Sequence, residues 1–193
     1  MEYRIDPEEL IDVTLPLSSD TYCWPGDTPF SREIRFQNGF RTSRLIMSSH
    51  TGTHLDAPAH LRNLSSTIDE IPAEKLILPI RLISWNAGDR IPDDVSPEGS
   101  GMILKTEGAG TGLSLESAAA VLERGVSLVG IDAPSVEPAD SFAVHRLLLE
   151  AEVPILENLD LKSVEPGRYL LLCFPLRILM GDGSPARVFL HPL

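Results

Sequence analysis

The chain has 193 residues, and its 28 aspartates and glutamates outnumber its 16 lysines and arginines, which gives a formal net charge of −12. Because nucleic acids and anionic membranes bind basic surfaces, this balance disfavours both as partners. The sequence contains neither a run of about 20 apolar residues that could span a membrane nor a basic and apolar N-terminal leader, so we expect a cytoplasmic protein.

The pattern along the chain is typical of short strands separated by turns. Strands are expected where apolar or β-branched residues are bounded by Gly, Pro and Asp, at 34–36, 44–48, 79–84, 102–106, 127–131, 154–156, 169–174 and 187–190. Residues 86–100 contain two glycines and two prolines, which predicts one long loop.

Two helices are expected among the strands. Ser114 is the predicted cap of a helix over 115–124, and Asp140 or Ser141 is the predicted cap of a second helix that includes residues 145–150. Helices interleaved with strands indicate a mixed α/β fold, and the length allows one domain or at most two small ones.

The segment from His50 to His60 reads HTGTHLDAPAH and contains three of the five histidines of the chain. Imidazole and carboxylate are preferred ligands of a divalent ion such as zinc, and a chance cluster of these types is the weaker explanation. On extended chain, side chains at even positions project to one side. That side would carry His50, His54, Asp56 and His60.

A straight strand cannot bring the two ends of this segment to one ion. At a rise of about 3.3 Å per residue, His50 and His60 would lie about 33 Å apart. The segment must therefore bend, and Gly52 and Pro58 are the expected bending points, since Gly reaches backbone angles closed to other residues and Pro ends regular pairing.

The segment also resembles the signature HxGTHxDxPxH of the kynurenine formamidase and cyclase-like metal-dependent hydrolases. The matching positions are His50, Gly52, Thr53, His54, Asp56, Pro58 and His60. The likeness extends to WPGD at 24–27, DAPSV at 132–136 and ILENL at 155–159. It implies a single α/β domain over residues 1–193, of the swivelling β/β/α type, with a central barrel-like mixed sheet.

The resemblance implies two divalent metal ions, with zinc expected and manganese as the alternative. It assigns His50, His54 and Asp56 to the first ion, with Asp56 bridging to the second, which His145 and Glu157 complete. On spacing alone, His145 would be read as a helix-surface histidine and Glu157 as a solvated carboxylate at a strand end. Outside these positions, His191 is the one further histidine that could compete.

The resemblance gives His60 the role of acid and base. A free imidazole with a pKa near 6.5 can take a proton from an attacking water and deliver it to a departing nitrogen. The alternative is that His60 ligates the second ion. Trp24 matches the substrate-contacting Trp of the family, where an indole can stack on an aryl ring; the alternative is an ordinary core aromatic.

The implied activity is hydrolysis of a non-peptide C–N bond, with N-formyl-L-kynurenine cleaved to L-kynurenine and formate in tryptophan catabolism. Residues 141–145 are shorter and more apolar than expected for a dedicated kynurenine formamidase, so a cyclic amide such as isatin, or an ester, is the alternative substrate. A mononuclear non-haem iron oxygenase and a non-catalytic metal-binding scaffold are the alternatives from other classes.

The expected partners are a small-molecule substrate and further copies of the chain, because the resemblance implies a homodimer or a higher homo-oligomer. Trp24, Phe30, Phe36 and Phe40 could then reach the cleft of a neighbour. The turn at 181–185 is expected to be a plain tight turn, with a place in the pocket wall as the alternative.

Overall fold

The computed structural model describes residues 3–61, 66–93, 95, 99–109, 111–138 and 141–193. Within them lie two helices, α1 (Leu115–Glu123) and α2 (Ala143–Glu150). The strands are β1 (Ile11–Asp12), β2 (Ser31–Gln37), β3 (Phe40–Ile46), β4 (His54–Asp56), β5 (Ile77–Ser84), β6 (Gly101–Lys105), β7 (Leu128–Ile131), β8 (Ile155–Glu157), β9 (Gly167–Pro175) and β10 (Gly183–Pro192). None of the helices in these ranges is long and apolar enough to cross a membrane.

Seven of the strands close into a barrel. Their order is β10, β4, β8, β7, β6, β5 and β9, and β9 pairs again with β10. The pairs from β5 to β8 are parallel and the others are antiparallel, while β1 pairs with β10 outside the ring. This confirms the prediction of a mixed α/β fold built on a barrel-like mixed sheet.

The barrel strands divide the core into two layers because successive side chains point to opposite faces. On β6, Ile103 packs inside the barrel, whereas Met102 and Leu104 pack outside against the helices. On β8, Leu156 points inward and Ile155 outward in the same way. Strands covered on both faces read as continuous apolar runs, which is why these segments were recognisable as strands.

Helix α1 begins as predicted. The Ser114 hydroxyl accepts a hydrogen bond from the Ser117 amide at 3.1 Å, and Gly125 follows the helix with φ +69°. Both features are common at helix ends, the first because it satisfies an otherwise free N–H and the second because Gly has no Cβ to clash in this conformation.

Helix α2 begins differently from the expectation. Its N-cap is Phe142, which has no side-chain acceptor, so the predicted cap at Ser141 is displaced by one residue. The Ser141 hydroxyl accepts only the Ala143 amide, at 3.2 Å, while Asp140 lies outside the described residues. The carboxylate of Glu137, earlier in the chain, takes the place of a local cap by accepting the next two amides of the helix.

The strands β2 and β3 form a separate two-stranded hairpin. They are longer than the predicted strands at 34–36 and 44–48, and every residue in them is exposed. An isolated two-stranded hairpin is marginally stable at best in water. Within the described residues, the barrel covers neither strand of this hairpin.

The core position of Leu55, between two predicted metal ligands on β4, can be tested by substitution. Leu55 is fully buried inside the barrel, so Leu55→Ala is expected to lower the free energy of unfolding by about 2–5 kcal/mol through lost burial and a residual cavity. Urea denaturation in the presence of a chelator measures this without a contribution from bound metal.

The matched control is Leu115→Ala, because Leu115 is 53% exposed at the start of α1. This variant is expected to change the free energy of unfolding by no more than about 0.5 kcal/mol. Equal losses in the two variants would contradict the core position of Leu55.

Candidate metal centre

The segment from His50 to His60 bends at both predicted points. Gly52 adopts φ +65°, so the backbone angle favours Gly, and a Cβ at this position would displace the Leu17 side chain, whose Cδ2 would lie 2.7 Å away. Pro58 opens a 3-10 turn over Pro58–His60. Only His54–Asp56 between these bends is strand, so the segment folds back on itself.

The barrel determines which face of β4 carries the site. Leu55 points into the barrel, so His54 and Asp56 point outward, toward α2. On the neighbouring strand β8, Glu157 lies directly opposite His54 in the antiparallel register and shares its face. His145 reaches the same place from α2, and so the polar groups meet on the outer surface of the barrel beneath a helix.

The five side chains predicted as metal ligands are brought together. His50 Nδ1 lies 2.7 Å from Asp56 Oδ1, and His54 Nε2 lies 3.3 Å from the same oxygen. His145 Nε2 lies 3.1 Å from Glu157 Oε1 and 3.8 Å from Asp56 Oδ2, while His54 Nε2 lies 3.6 Å from Glu157 Oε2. All but the partly exposed His50 are buried.

Two groups of described residues have the geometry of a cation site, with ligand atoms within 4.8 Å of one another. One contains His50, Asp56 and His60, and the other contains His54, Asp56 and Glu157. Imidazole nitrogen and carboxylate oxygen suit a borderline divalent ion. The donor set therefore fits a divalent metal ion, and Asp56 belongs to both groups.

The electrostatics of the cluster favour bound positive charge. Burial lowers the pKa of His50, but the hydrogen bonds and charges of Asp56 and Asp182 outweigh this effect and raise it to about 9. For His145, burial is likewise outweighed, chiefly by Glu157 and Asp56, and its pKa also rises to about 9. Burial raises the pKa of Asp56, yet His50 and His54 hold it well below its usual range.

His60 differs from the other histidines of the segment. Burial, together with the charges of His50 and His145, lowers its pKa. Its ring lies 4.1 Å from the His50 ring, and its Nδ1 lies 3.8 Å from Asp182 Oδ2, beyond hydrogen-bond distance. Among the described residues no hydrogen bond holds the His60 ring, which leaves a neutral and partly exposed imidazole at neutral pH.

Each of the other three imidazoles has an acceptor at the nitrogen that points away from the cluster. His54 Nδ1 lies 2.9 Å from the Gly52 carbonyl oxygen, His50 Nε2 lies 3.0 Å from Asp182 Oδ2, and His145 Nδ1 lies 2.8 Å from Glu137 Oε1. Such outer acceptors fix the orientation of metal-binding imidazoles. They leave one nitrogen of each ring facing the carboxylates.

Sequence reasoning missed the roles of Asp182 and Glu137. The turn at 181–185 was expected to be a plain turn, but Asp182 lines the cavity and β10 already begins at Gly183. Gly183 is required for space, since a Cβ there would lie 2.6 Å from His50 Cε1. Nothing local in the sequence signals these contacts, because each joins residues that are distant along the chain or separated by a turn.

The cluster lies at the base of a cavity of about 420 Å³. Trp24 lines this cavity together with Tyr22 and Phe142, and its ring centroid lies 6.4 Å and 6.3 Å from theirs. A cavity of this size suits a small molecule, and the aromatic walls suit an aryl ring. The competing His191 lies elsewhere, 3.4 Å from Glu9, so it takes no part in the site.

The chain is similar in sequence to a family of known proteins. Residues 11–138 match the family described as "Putative cyclase". The kynurenine formamidase of Bacillus cytotoxicus is 35% identical, with 96% of this chain and 98% of that protein covered, and the kynurenine formamidase of Bacillus cereus (strain ZK / E33L) is 34% identical over the same shares.

Solved structures share the fold. A predicted metal-dependent hydrolase from Bacillus stearothermophilus has a TM-score of 0.79 and 30% identity, and the match covers 94% of this chain and 97% of that one. Isatin hydrolase A from Labrenzia aggregata, bound to benzyl benzoate, has a TM-score of 0.79 at 22% identity over 95% of this chain and 93% of that one. The second likeness concerns the fold alone.

The raised pKa values predict how the metal-free protein responds to pH. The pKa of His50 and of His145 is about 9 in the folded state, against about 6.5 in an unfolded chain. Their stabilising contribution is complete below pH 6.5 and is lost as the pH rises toward 9. Thermal unfolding in a chelator should therefore show a Tm that falls between pH 6.5 and 8.5.

The pH range stops at 8.5 to exclude an effect of Cys173. Burial raises the pKa of this thiol to about 12, so above about pH 8.5 the thiol ionises only in the unfolded chain and the folded protein loses stability. His145→Gln is the control and should show a shallower fall. Added Zn²⁺ should raise the Tm more at pH 8.5 than at pH 6.5, because metal and protons compete for the same nitrogens. A Tm that is flat over this range contradicts the assignment of these charges.

Proposed function

The chain belongs to the cyclase family, and from this membership we propose that it is a two-metal amidohydrolase that cleaves N-formyl-L-kynurenine to L-kynurenine and formate. The observation that carries the proposal is the way in which Asp56 and Glu157 face the histidines. One oxygen of each carboxylate faces His54 and the other faces His145. Carboxylates shared in this way suit two neighbouring ions.

The proposed ligands of the first ion are His50, His54 and Asp56. Asp56 and Glu157 would reach the second ion, which His145 completes. Zinc suits imidazole and carboxylate donors, and manganese is the alternative because two carboxylates contribute. A single-iron facial triad needs only two histidines and one carboxylate, and it leaves the second shared carboxylate without a role.

Divalent ions held by His50, His54, Asp56, His145 and Glu157 would lower the pKa of a bound water to about 7 and would polarise the formyl oxygen. The proposed part of His60 is the transfer of protons. Its lowered pKa keeps the imidazole neutral, so it can accept a proton from the attacking water and return it to the departing aryl nitrogen. The absence of a hydrogen bond on this ring, among the described residues, leaves it free for that exchange.

The aromatic side chains at the mouth of the cavity are proposed to hold the aryl ring. Trp24 lies between Tyr22 and Phe142 in edge-to-face contacts, and Phe142 is 60% exposed at the rim. An aryl group placed there would stack on the indole with its amide directed toward the ions.

A second candidate substrate is a neutral cyclic amide of the isatin type, or an ester. The observation that favours it is the charge of the wall, because no lysine or arginine lines the cavity within the described residues, while Asp27 and Asp182 do. Among the described residues, no cationic side chain of the cavity wall is placed to pair with the α-carboxylate of N-formyl-L-kynurenine. Phe142 adds apolar surface to the cavity wall. It belongs to residues 141–145, whose apolar sequence also favours a cyclic amide or an ester.

The decisive test combines substrates with substitution of His60. The zinc-reconstituted protein is expected to hydrolyse N-formyl-L-kynurenine, followed by absorbance, and His60→Ala is expected to lower kcat by about 10²- to 10⁴-fold because proton transfer is lost. Elemental analysis should find two ions per chain in both proteins.

The control is His191→Gln, which removes the histidine outside the cluster and should leave kcat unchanged. If His60→Ala binds one ion fewer than the wild-type protein, His60 is a metal ligand and not an acid and base. Turnover of isatin or an aryl ester without turnover of the formamide would keep the mechanism and replace the substrate. One bound iron with oxygen-dependent turnover would overturn the proposal.

The hairpin β2–β3 supports a homodimer as the working form. Its exposed apolar side chains are Ile34, Phe36, Phe40, Leu45 and Ile46. It also carries four arginines and one glutamate, a charge of +3 in a chain of net charge −12. An apolar and basic hairpin complements the acidic surface of a second copy, since contiguous exposed apolar residues mark interaction sites.

The dimer can be tested by combining Phe36→Ser with Phe40→Ser, since these rings are 76% and 74% exposed. Sedimentation should show a dimer for the wild-type protein and a monomer for this variant. Leu179→Ser, at a residue 79% exposed outside the hairpin, is the control and should remain dimeric. A monomeric wild-type protein would contradict the proposal.

A further inference from the structure

A buried carboxylate that takes no direct part in the proposed chemistry lies behind the metal centre. Glu137 follows the DAPSV segment and is 2% exposed. Its Oε2 accepts a hydrogen bond from the Val144 amide at 3.0 Å, and its Oε1 accepts one from the His145 amide at 2.9 Å. The same Oε1 lies 2.8 Å from His145 Nδ1.

These contacts explain how the charge is tolerated in the interior. A buried carboxylate is costly unless hydrogen bonds and favourable dipoles compensate it, and the amides at the start of a helix provide both. Each carboxylate oxygen of Glu137 already faces a backbone N–H, which can only donate, so both oxygens act as acceptors.

An acceptor at Nδ1 decides the state of the His145 ring. Because Oε1 accepts at this position, Nδ1 must carry the proton when the imidazole is neutral, and the lone pair then resides on Nε2. Nε2 is the nitrogen that faces Glu157 Oε1 and Asp56 Oδ2. Since one oxygen holds both the backbone amide and the ring of the same residue, the ring has little freedom to rotate.

We infer that Glu137 is a positioning residue for the metal centre, which fixes the tautomer and the orientation of His145 so that Nε2 binds the second ion. The inference rests on the two-metal function proposed above and extends it to a residue outside the ligand set. The ion at His50 and His54 does not depend on this carboxylate, because Asp182 and the Gly52 carbonyl hold those rings.

The competing explanation is that Glu137 serves only as a helix cap. A hydroxyl is sufficient for that purpose, as Ser114 shows on α1, where it accepts an amide at 3.1 Å. A cap acts through the stability of α2, which carries His145, whereas the positioning role acts through the His145 ring. The protonation state of the ring nitrogens therefore separates the two roles, and metal affinity shows which ion is affected.

The experiment compares Glu137→Gln with the wild-type protein in a zinc titration against a chromophoric chelator. The amide of this variant must direct its NH₂ group at Val144 or at His145, where it meets another donor. The affinity for one of the two ions should fall by about 10- to 100-fold while the other stays within about 2-fold of wild type. Ser114→Ala, which removes the cap of α1, should leave both affinities unchanged.

Two results of this titration would overturn the inference. One is a Glu137→Gln protein that binds both ions with wild-type affinity, even if its Tm is lower. The other is an equal loss of both ions, which would mean that Glu137 supports the whole site and not His145. A wild-type protein that binds fewer than two ions would instead contradict the two-metal proposal, so the two failures are distinguishable.

If Glu137→Gln does not fold, the inference can be tested by NMR on the wild-type protein. Long-range ¹H–¹⁵N spectra of the zinc-loaded wild-type protein report the state of each imidazole nitrogen. His145 should show a protonated Nδ1 and a metal-bound Nε2. An unprotonated or metal-bound Nδ1 would rule out the role assigned to Glu137.

Discussion

Two carboxylates, Asp56 and Glu157, lie buried side by side on β4 and β8, and the site depends on neutralising them. Burying ionised groups is costly unless they are paired or bind cations. In the metal-free protein three histidines neutralise the carboxylates. The pKa values of His50 and His145 are raised as a result. A divalent ion can replace the protons at the same nitrogens.

The barrel can carry such a cluster because alternating residues of one strand have different roles. Inward side chains form the apolar core, and outward side chains form the site. On β4, the inward Leu55 belongs to the apolar core, whereas its two neighbours face the site. β8 repeats the pattern with Leu156 and Glu157. Both strands are paired on each side within the ring, so the backbone under the polar groups has little freedom to move. Ligand positions on such a frame are more exact than on loops.

The substrate side of the site is built differently, from segments outside the barrel strands. Trp24 and Tyr22 come from the N-terminal region, and Phe142 comes from the start of α2. The aromatic walls and the candidate ligands of β4 and β8 therefore belong to different segments of the chain.

The sequence by itself determined the residue types of the candidate metal site, the bends at Gly52 and Pro58 and most of the barrel strands. The bends and strands follow from local backbone preference and from apolar runs. The resemblance added the distant His145 and Glu157. Only the tertiary structure decided that Glu137 and Asp182 stand behind the imidazoles, that Phe142 and not Ser141 occupies the N-cap of α2, and that the hairpin is left uncovered. These features depend on contacts between segments far apart in the chain, for which local pattern holds no signal.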